Sequence, residues 1–238
     1  MSHTEEKSRI DEIASQSLYA AGVNTDTIQY CFEVFKRYVG PGRMLEMGPA
    51  EGVMTALLHK LGRPMSIVEG SSRFAADLQA RYPDAEVTCS LFEDYEPKHS
   101  FDTIVLGHVL EHVDNPVDVL RRTLPWLSPG GRVLAAVPNA RSIHRQAATL
   151  MGLLPFEEAL NEMDRHHGHR RVYTPETFRR DFRDAGFAVE VFGGYWLKPL
   201  SNKQIEQTFT APMLRAFMQL GEQYPDIAGE IYVVARRP

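Results

Sequence analysis

Met44-Leu45-Glu46-Met47-Gly48-Pro49-Ala50-Glu51-Gly52, followed by Ile67-Val68-Glu69-Gly70, reads as a short buried strand, a glycine-bearing turn that opens a helix, and a second strand ending in an acid. Gly48 permits the backbone to approach a ligand closely, and Gly52 permits tight packing of the helix. Glu69 follows Gly48 by 21 residues, where a carboxylate can accept hydrogen bonds from both hydroxyls of a ribose. The spacing is Glu-x-Gly-x-x-x-Gly, not Gly-x-Gly-x-x-Gly. A dinucleotide pyrophosphate needs a bare glycine loop at a helix N-terminus, whose dipole and free N–H groups attract anions. Here the loop starts with an acid and carries Pro49 and Glu51, and Glu51 would repel a pyrophosphate. A cofactor with a cationic amino-acid end and no phosphate suits the loop better, and S-adenosylmethionine is such a molecule.

Outward from this stretch, strands and helices alternate. Residues 8–39 look helical, with Ile28, Phe32, Phe35 and Val39 on one stripe that ends before Gly40-Pro41-Gly42. Strands are expected at Met44–Met47, Ser66–Val68, Ala85–Cys89, Phe101–Leu106 and Arg132–Val137, and helices at Val53–Leu61, Arg73–Arg81 and Pro116–Leu127. Such alternation predicts an α/β fold, a Rossmann-like seven-stranded and mostly parallel sheet with helices on both faces, plus a helical and irregular cap. The pattern breaks after residue 138 and resumes with a helix at Pro175–Ala185, a strand at Ala188–Phe192 and a closing strand at Glu230–Ala235. A single domain is expected: a helical N-terminal cap (1–40), a cofactor-binding core (41–138), an acceptor lid (139–174), and a C-terminal part of the sheet with a helical insertion (175–238).

Composition excludes several classes. The 238 residues carry 43% apolar and 24% charged side chains, ordinary for a globular protein. No run approaches the about 20 apolar residues of a membrane span, and Met1–Lys7 lacks the basic and apolar regions of a signal peptide. Cys31 and Cys89 sit in apolar surroundings without metal-like spacing, so a reduced cytoplasmic location is expected. A net charge of −5 argues against a broad nucleic-acid surface. The basic pairs Arg121-Arg122 and Arg170-Arg171 read as solvated faces. The expected partner is a small molecule, with neither membrane nor nucleic acid, and the N-terminal stripe suits either a cap or a homodimer contact.

At this point the chain resembles the class I S-adenosylmethionine-dependent methyltransferases. The matching pieces are Leu45–Gly52, Glu69, Phe101-Asp102-Thr103-Ile104-Val105 leading into Leu110-Glu111-His112-Val113, Leu127-Ser128-Pro129-Gly130-Gly131, Val137-Pro138-Asn139, Arg171-Val172-Tyr173-Thr174 and Asp184-Ala185-Gly186-Phe187. Within the class it is most similar to the branch of ubiquinone-biosynthesis O-methyltransferases and small-molecule natural-product enzymes. The resemblance implies that Glu46 and Gly48 lie against the methionine part of the cofactor, with Gly52 at the helix start. Glu69 would hold the ribose, Gly70 and Ser71 would border the adenosine, and Leu91 and Phe92 would flank the adenine. Glu93 or a backbone carbonyl would receive the adenine amino group, and Gly107 would face the sulfonium with His112 nearby.

Methyl transfer is an in-line displacement, so the protein chiefly aligns nucleophile and methyl group. A base is needed only when the acceptor must lose a proton, and histidine suits that role. His108-Val109-Leu110-Glu111-His112 follows the fourth strand, whose carboxyl end faces the ligand crevice in such sheets. Its His-x-x-Glu-His pattern is also a zinc-protease signature, in the wrong context here. The resemblance allows magnesium near this segment, but His108 replaces an expected acid and no metal is expected. His108 and His112 are candidates for touching the acceptor, or for a purely structural role. Asp164–Tyr173 holds the denser cluster, from which His167 is the first candidate for general base and His169 the second. Tyr173 would orient the base, and Asn139, His144 and Trp196 would border the acceptor, although each also reads as ordinary capping or core. These features favour methylation of a small-molecule hydroxyl slightly over nitrogen. The competing readings are a nicotinamide oxidoreductase and a non-catalytic cofactor-binding protein.

Overall fold

The apolar runs near 44, 65 and 101 show no alternation because both faces of each strand are covered, as in parallel sheets flanked by helices. The structure, a computed structural model, describes residues 3–15 and 21–238. Seven strands, β1 (Met44–Met47), β2 (Met65–Glu69), β3 (Glu86–Cys89), β4 (Phe101–Gly107), β5 (Leu127–Pro138), β6 (Ala188–Tyr195) and β7 (Glu230–Arg236), form one sheet in the order β3-β2-β1-β4-β5-β7-β6. β7 runs antiparallel between β5 and β6, and β1 to β5 pair in parallel. The order reverses between β1 and β4, which creates a crevice at the carboxyl ends of these strands.

Alternate residues of each strand feed two cores. Leu45, Met47, Ile104, Leu106 and Val133 pack with Val119 and Leu120 of helix α5 (Pro116–Thr123) and with Phe178 and Phe182 of α8 (Pro175–Asp184). On the opposite face Met44, Ile67, Val105 and Leu134 meet Cys31, Val34 and Phe35 of α2 (Val23–Phe35) and Met54 and Leu58 of α3 (Val53–His59). Each such large side chain, fully buried, contributes about 1.5–3 kcal/mol, so α2 is a structural layer of the sheet. The expected helix over 8–39 divides into α1 (His3–Ser15) and α2, the latter starting after Gly22 at φ 54°. The part of that expectation over 16–20 lies outside the described residues.

Other differences have local causes. The expected helix to Leu127 stops at Thr123 and tightens into a 3₁₀ turn over Leu124–Trp126, because Pro125 removes a backbone donor. The segment 139–174 contains α6 (Ile143–Leu150) and α7 (Glu162–His166). Its two ends are joined, since Asn139 and Tyr173 form a β-bridge and the Ala140 N–H donates to the Tyr173 carbonyl at 2.8 Å. α4 (Ser72–Arg81) follows β2, while α9 (Asn202–Thr208) and α10 (Ala211–Gly221) fill the span between β6 and β7. Cys31 is buried, but Cys89 is exposed at the end of the edge strand β3, contrary to the apolar setting expected for it.

Candidate active site

The turn after β1 is a run of left-handed backbone, with φ of 64° at Gly48, 49° at Ala50 and 79° at Gly52. A Cβ on Gly48 would stand 3.1 Å from Phe92 Cζ and 3.2 Å from Val109 Cγ2, so that glycine keeps space open. Gly52 serves a different contact, because its Cβ would meet Leu78 Cδ2 of α4 at 2.7 Å. Beside this turn the Glu69 carboxylate accepts from the Ala50 N–H at 3.1 Å and the Ser71 N–H at 2.8 Å. Burial pushes its pKa above the usual carboxylate value against those backbone donors.

A cavity of about 300 Å³ opens here, at the carboxyl ends of β1 to β4. Gly48, Glu69, Gly70, Leu91, Phe92 and Gly107 line it, together with Glu93, His108, His112 and His167. Three expected cofactor residues stand outside the lining. Glu46 is only 2% exposed behind the turn, and burial first, then the Glu69 charge, lifts its pKa to about 8. Ser71 is buried and donates its hydroxyl to Asp11 at 2.8 Å, and Gly52 packs α3 on α4.

The sequence suggested a helical N-terminal cap without naming the residues that roof the cavity. Glu6, Arg9, Ile10 and Ile13 of α1 line the cavity, and their three- and four-residue spacing was the signal that could have found them. Two glycines let this helix approach: a Cβ on Gly70 would stand 3.1 Å from Ile10 Cδ1, and one on Gly168 would stand 2.5 Å from Ile13 Cδ1. Polar ties complete the roof, with Arg9 donating to the His112 carbonyl at 3.3 Å and Arg170 pairing with Glu6 at 2.7 Å. The Arg9 Nε is buried without a hydrogen-bond partner.

His108 adopts φ 59°, which swings its ring off the sheet to the edge of the cavity. Its Nε2 lies 3.2 Å from the Tyr195 hydroxyl, and its Nδ1 lies 3.6 Å from Glu111 and 3.7 Å from Glu230. Burial opposes charging this ring, but the Cys31 sulfur and the two carboxylates outweigh it and hold the pKa well above the usual value. Both ring nitrogens of His108 are thus engaged by neighbouring side chains. His112 and His167 are pushed the other way, chiefly by burial, to about 3 and about 4. His169 is absent from the lining; its Nδ1 lies 3.5 Å from Asp164 and its ring meets His112 edge-on at 4.7 Å.

Two of the expected acceptor residues, Asn139 and Tyr173, are spent on the fold. Asn139 is fully buried, donates to the carbonyls of Asp226 (3.1 Å) and Ala228 (2.9 Å), and accepts from the Arg141 N–H. The Tyr173 hydroxyl donates to Asp181 at 3.0 Å inside the α8 core. Trp196 is 1% exposed under the Lys198 ammonium, 4.7 Å from its ring centre. His144 lies away from the lining, with burial pushing its pKa down to about 2. Arg170 and Arg171 are not a solvated face either. They donate to the carbonyls of His112, Leu110 and Asp114, and so fix the turn that follows β4.

Glu111, His112 and His169 each offer a metal-ligand atom, all within 4.8 Å of one another. Magnesium prefers octahedral oxygen coordination. One carboxylate with two imidazoles does not fit it, and His108 is engaged by Glu230 and Tyr195 where an oxygen ligand would be required. Among the described residues no helix is long and apolar enough to cross a membrane.

This geometry has relatives. The methyltransferase domain family matches residues 19–190. A ubiquinone biosynthesis O-methyltransferase of Aeromonas salmonicida (strain A449) is 27% identical over 173 residues, 68% of this chain and 69% of its own length. The relative of that name from Nitrobacter winogradskyi is 25% identical over 166 residues, and the chain spans 62% of its length. Among solved structures, the glycopeptide N-methyltransferase MtfA complexed with S-adenosylmethionine superposes with a TM-score of 0.59 at 14% identity, over 92% of this chain and 88% of that one. The mitomycin 7-O-methyltransferase MmcR gives a TM-score of 0.62 at 16% identity, over 100% of this chain and 61% of its own. The family match spans well over half of the sequence and coincides with the glycine turn, Glu69 and the crevice, so the chain belongs to the methyltransferase domain family as a class I S-adenosylmethionine-dependent methyltransferase.

Proposed function

We propose that the cavity binds S-adenosylmethionine and that the enzyme methylates a hydroxyl of a small-molecule acceptor. The observation that carries this reading is the Glu69 carboxylate, held by two backbone N–H groups at the cavity wall where a ribose would present its hydroxyls. Gly48 lies on the methionine side, with Gly52 and the buried Glu46 behind it. Leu91 and Phe92 sandwich the adenine, Gly70 borders the adenosine, Glu93 takes the adenine amino group, and Gly107 with His112 edges the sulfonium. Arg9, which lines the cavity and whose Nε pairs with Glu6 at 3.5 Å, holds the cofactor carboxylate through its other guanidinium nitrogens.

In the transfer, a lone pair of the acceptor oxygen attacks the methyl carbon while the carbon–sulfur bond breaks, leaving the neutral thioether of S-adenosylhomocysteine. The acceptor proton passes to His167. This ring lines the cavity and is uncharged at neutral pH, the form that accepts a proton. Amine acceptors remain the second reading, favoured by the similarity in fold to the N-methyltransferase MtfA.

Calorimetry with S-adenosylmethionine, S-adenosylhomocysteine and NAD, on wild type and Glu69→Ala, tests the cofactor half. Binding of both adenosyl compounds, weakened in the variant, supports it; unchanged binding in Glu69→Ala removes the ribose role. For the acceptor half, phenols, heterocycles and amino sugars are screened by product mass. A phenol product, with kcat in His167→Ala reduced by roughly 10²–10⁴ and the cofactor KM unchanged, supports O-methylation. Exclusive turnover of amines overturns it.

A further inference from the structure

We propose that the acceptor is an aliphatic polyol of the sugar class, and that Glu230 and Lys198 read one of its hydroxyls beyond the one that is methylated. The inference rests on the reading of the cavity as the cofactor site, because this subsite adjoins it. Glu230 opens β7 at the carboxyl end of β5, in register with Pro138 and with Tyr195 at the end of β6. It is 7% exposed, its Oε2 has no hydrogen-bond partner, and His108 Nδ1 stands off at 3.7 Å. A buried carboxylate oxygen in that state is costly until something donates to it. His108 lines the cofactor cavity, so Glu230 lies one side chain away from it.

Lys198 is the complementary half. Its ammonium stands 4.7 Å from the Trp196 ring centre and senses the Glu230 charge. Among the described residues, however, the two make no ion pair with each other. A group seated between them must accept from an ammonium and donate to a carboxylate, and one hydroxyl does both. An amine there would be repelled by Lys198, and a carboxylate by Glu230. Two further buried polar atoms near the pair have no hydrogen-bond partner, Trp196 Nε1 and His144 Nδ1, and His144 senses the Lys198 charge. A mixed set of donors and acceptors suits a ligand whose several hydroxyls serve as either. The backbone holds this arrangement at φ 62° on Trp196, a conformation that bulky residues rarely adopt. The Trp196 N–H donates to the Met218 carbonyl at 2.9 Å, and its carbonyl accepts from the Gly229 N–H at 2.6 Å. A planar aromatic ligand fits less well. Trp196 is 1% exposed beneath Lys198, and Tyr195 is fully buried with its ring 5.7 Å from that of Tyr30, so neither offers an open face for stacking. Lys198 is only partly buried, which leaves the pair reachable from outside.

The test measures methyl transfer from S-adenosylmethionine by the full chain across four acceptor sets: methyl hexosides with their monodeoxy analogues, inositols, catechols with hydroxybenzoates, and amino acids. Expected is turnover among the hexosides or inositols, with one deoxy position, other than the methylated one, lowering kcat/KM by about 10⁴-fold. Glu230→Gln and Lys198→Met should each lower kcat/KM for the full polyol by about 10–100-fold. Neither should change kcat/KM for that deoxy analogue, a selectivity that a purely structural role does not produce. S-adenosylhomocysteine calorimetry on the same samples should give wild-type affinity in both variants. Wild type that binds no S-adenosylhomocysteine overturns the cofactor reading and this proposal with it. With that binding intact, the acceptor proposal fails alone if every polyol is refused, or if turnover is confined to catechols, hydroxybenzoates or amino acids. Equal losses on polyol and deoxy analogue also overturn it, since the pair then serves the fold or holds only water. Where one variant fails to fold, the other decides.

Discussion

The turn after β1 and the lid over residues 139–174 both face one crevice, yet they are held by opposite means. The turn is positioned by backbone: three left-handed residues, two N–H groups on Glu69, and glycines that leave room for neighbours. The lid is positioned by long side chains that reach back to carbonyls and carboxylates, Arg145, Arg170 and Arg171 chief among them. A backbone-built site should lose ligand affinity when it is damaged and keep its stability. A lid tied by buried charges should lose stability first.

The largest effect is therefore expected in the lid. Arg145 and Asp164 are 5% and 9% exposed and pair at 3.1 Å. Asp164→Ala strands the guanidinium, at a cost of about 3–5 kcal/mol for a broken buried pair. Chemical denaturation with hydrogen exchange should put the loss in residues 141–170 and leave β1 to β4 protected. Equal loss of protection throughout the sheet would show that lid and core unfold as one unit. Next in size is Glu69→Ala, which should weaken S-adenosylhomocysteine binding by about 1.5–3 kcal/mol, the worth of hydrogen bonds to a charged group, with the thermal midpoint of the unliganded protein nearly unchanged. A large fall in that midpoint would mean that Glu69 serves the turn and not the ligand. Asn139→Ala should follow, losing about 1–3 kcal/mol as buried partners go unsatisfied, while the acceptor KM stays constant. A selective rise in that KM would return Asn139 to the acceptor site.

This contrast also explains what the sequence could reveal. Gly48, Gly52 and Glu69 were legible because a backbone turn and a strand end impose their residue types locally, at a fixed spacing. The strands were legible for the same reason, through near-continuous apolar runs. Asn139, Tyr173 and His169 were not, because each is decided by a partner distant in sequence or held inside a core: Ala228 for Asn139, Asp181 within the α8 core for Tyr173, and the Asp164 and His112 pair for His169. Polar density in a loop reads as chemistry until those partners are known. The cavity residues of α1 went unnamed for another reason: their stripe was present, but a cavity-facing stripe and a core-facing one look alike in sequence.

The two acids of the cofactor half allow a finer test of the same distinction, with the smallest effect expected. Glu69 faces the cavity, whereas Glu46 stands behind the turn with a buried Oε2 that has no hydrogen-bond partner. Burial lifts the folded pKa of Glu46 to about 8 from its ordinary 4.5, so the folded state retains a proton that the unfolded chain releases. The stability linked to this group is complete below pH 4.5 and declines as pH rises toward 8, at up to about 1.4 kcal/mol per pH unit for one proton. Glutamine imitates the protonated acid at every pH. Glu46→Gln should therefore match wild type near pH 4.5, exceed it modestly at pH 7 to 8, and show a flatter thermal midpoint against pH. If the variant is instead less stable than wild type at pH 8, Glu46 is ionised in the folded protein. It would then hold a positive partner as Glu69 holds its N–H donors, and the line between the acid that serves the ligand and the acid that serves the fold would have to be redrawn.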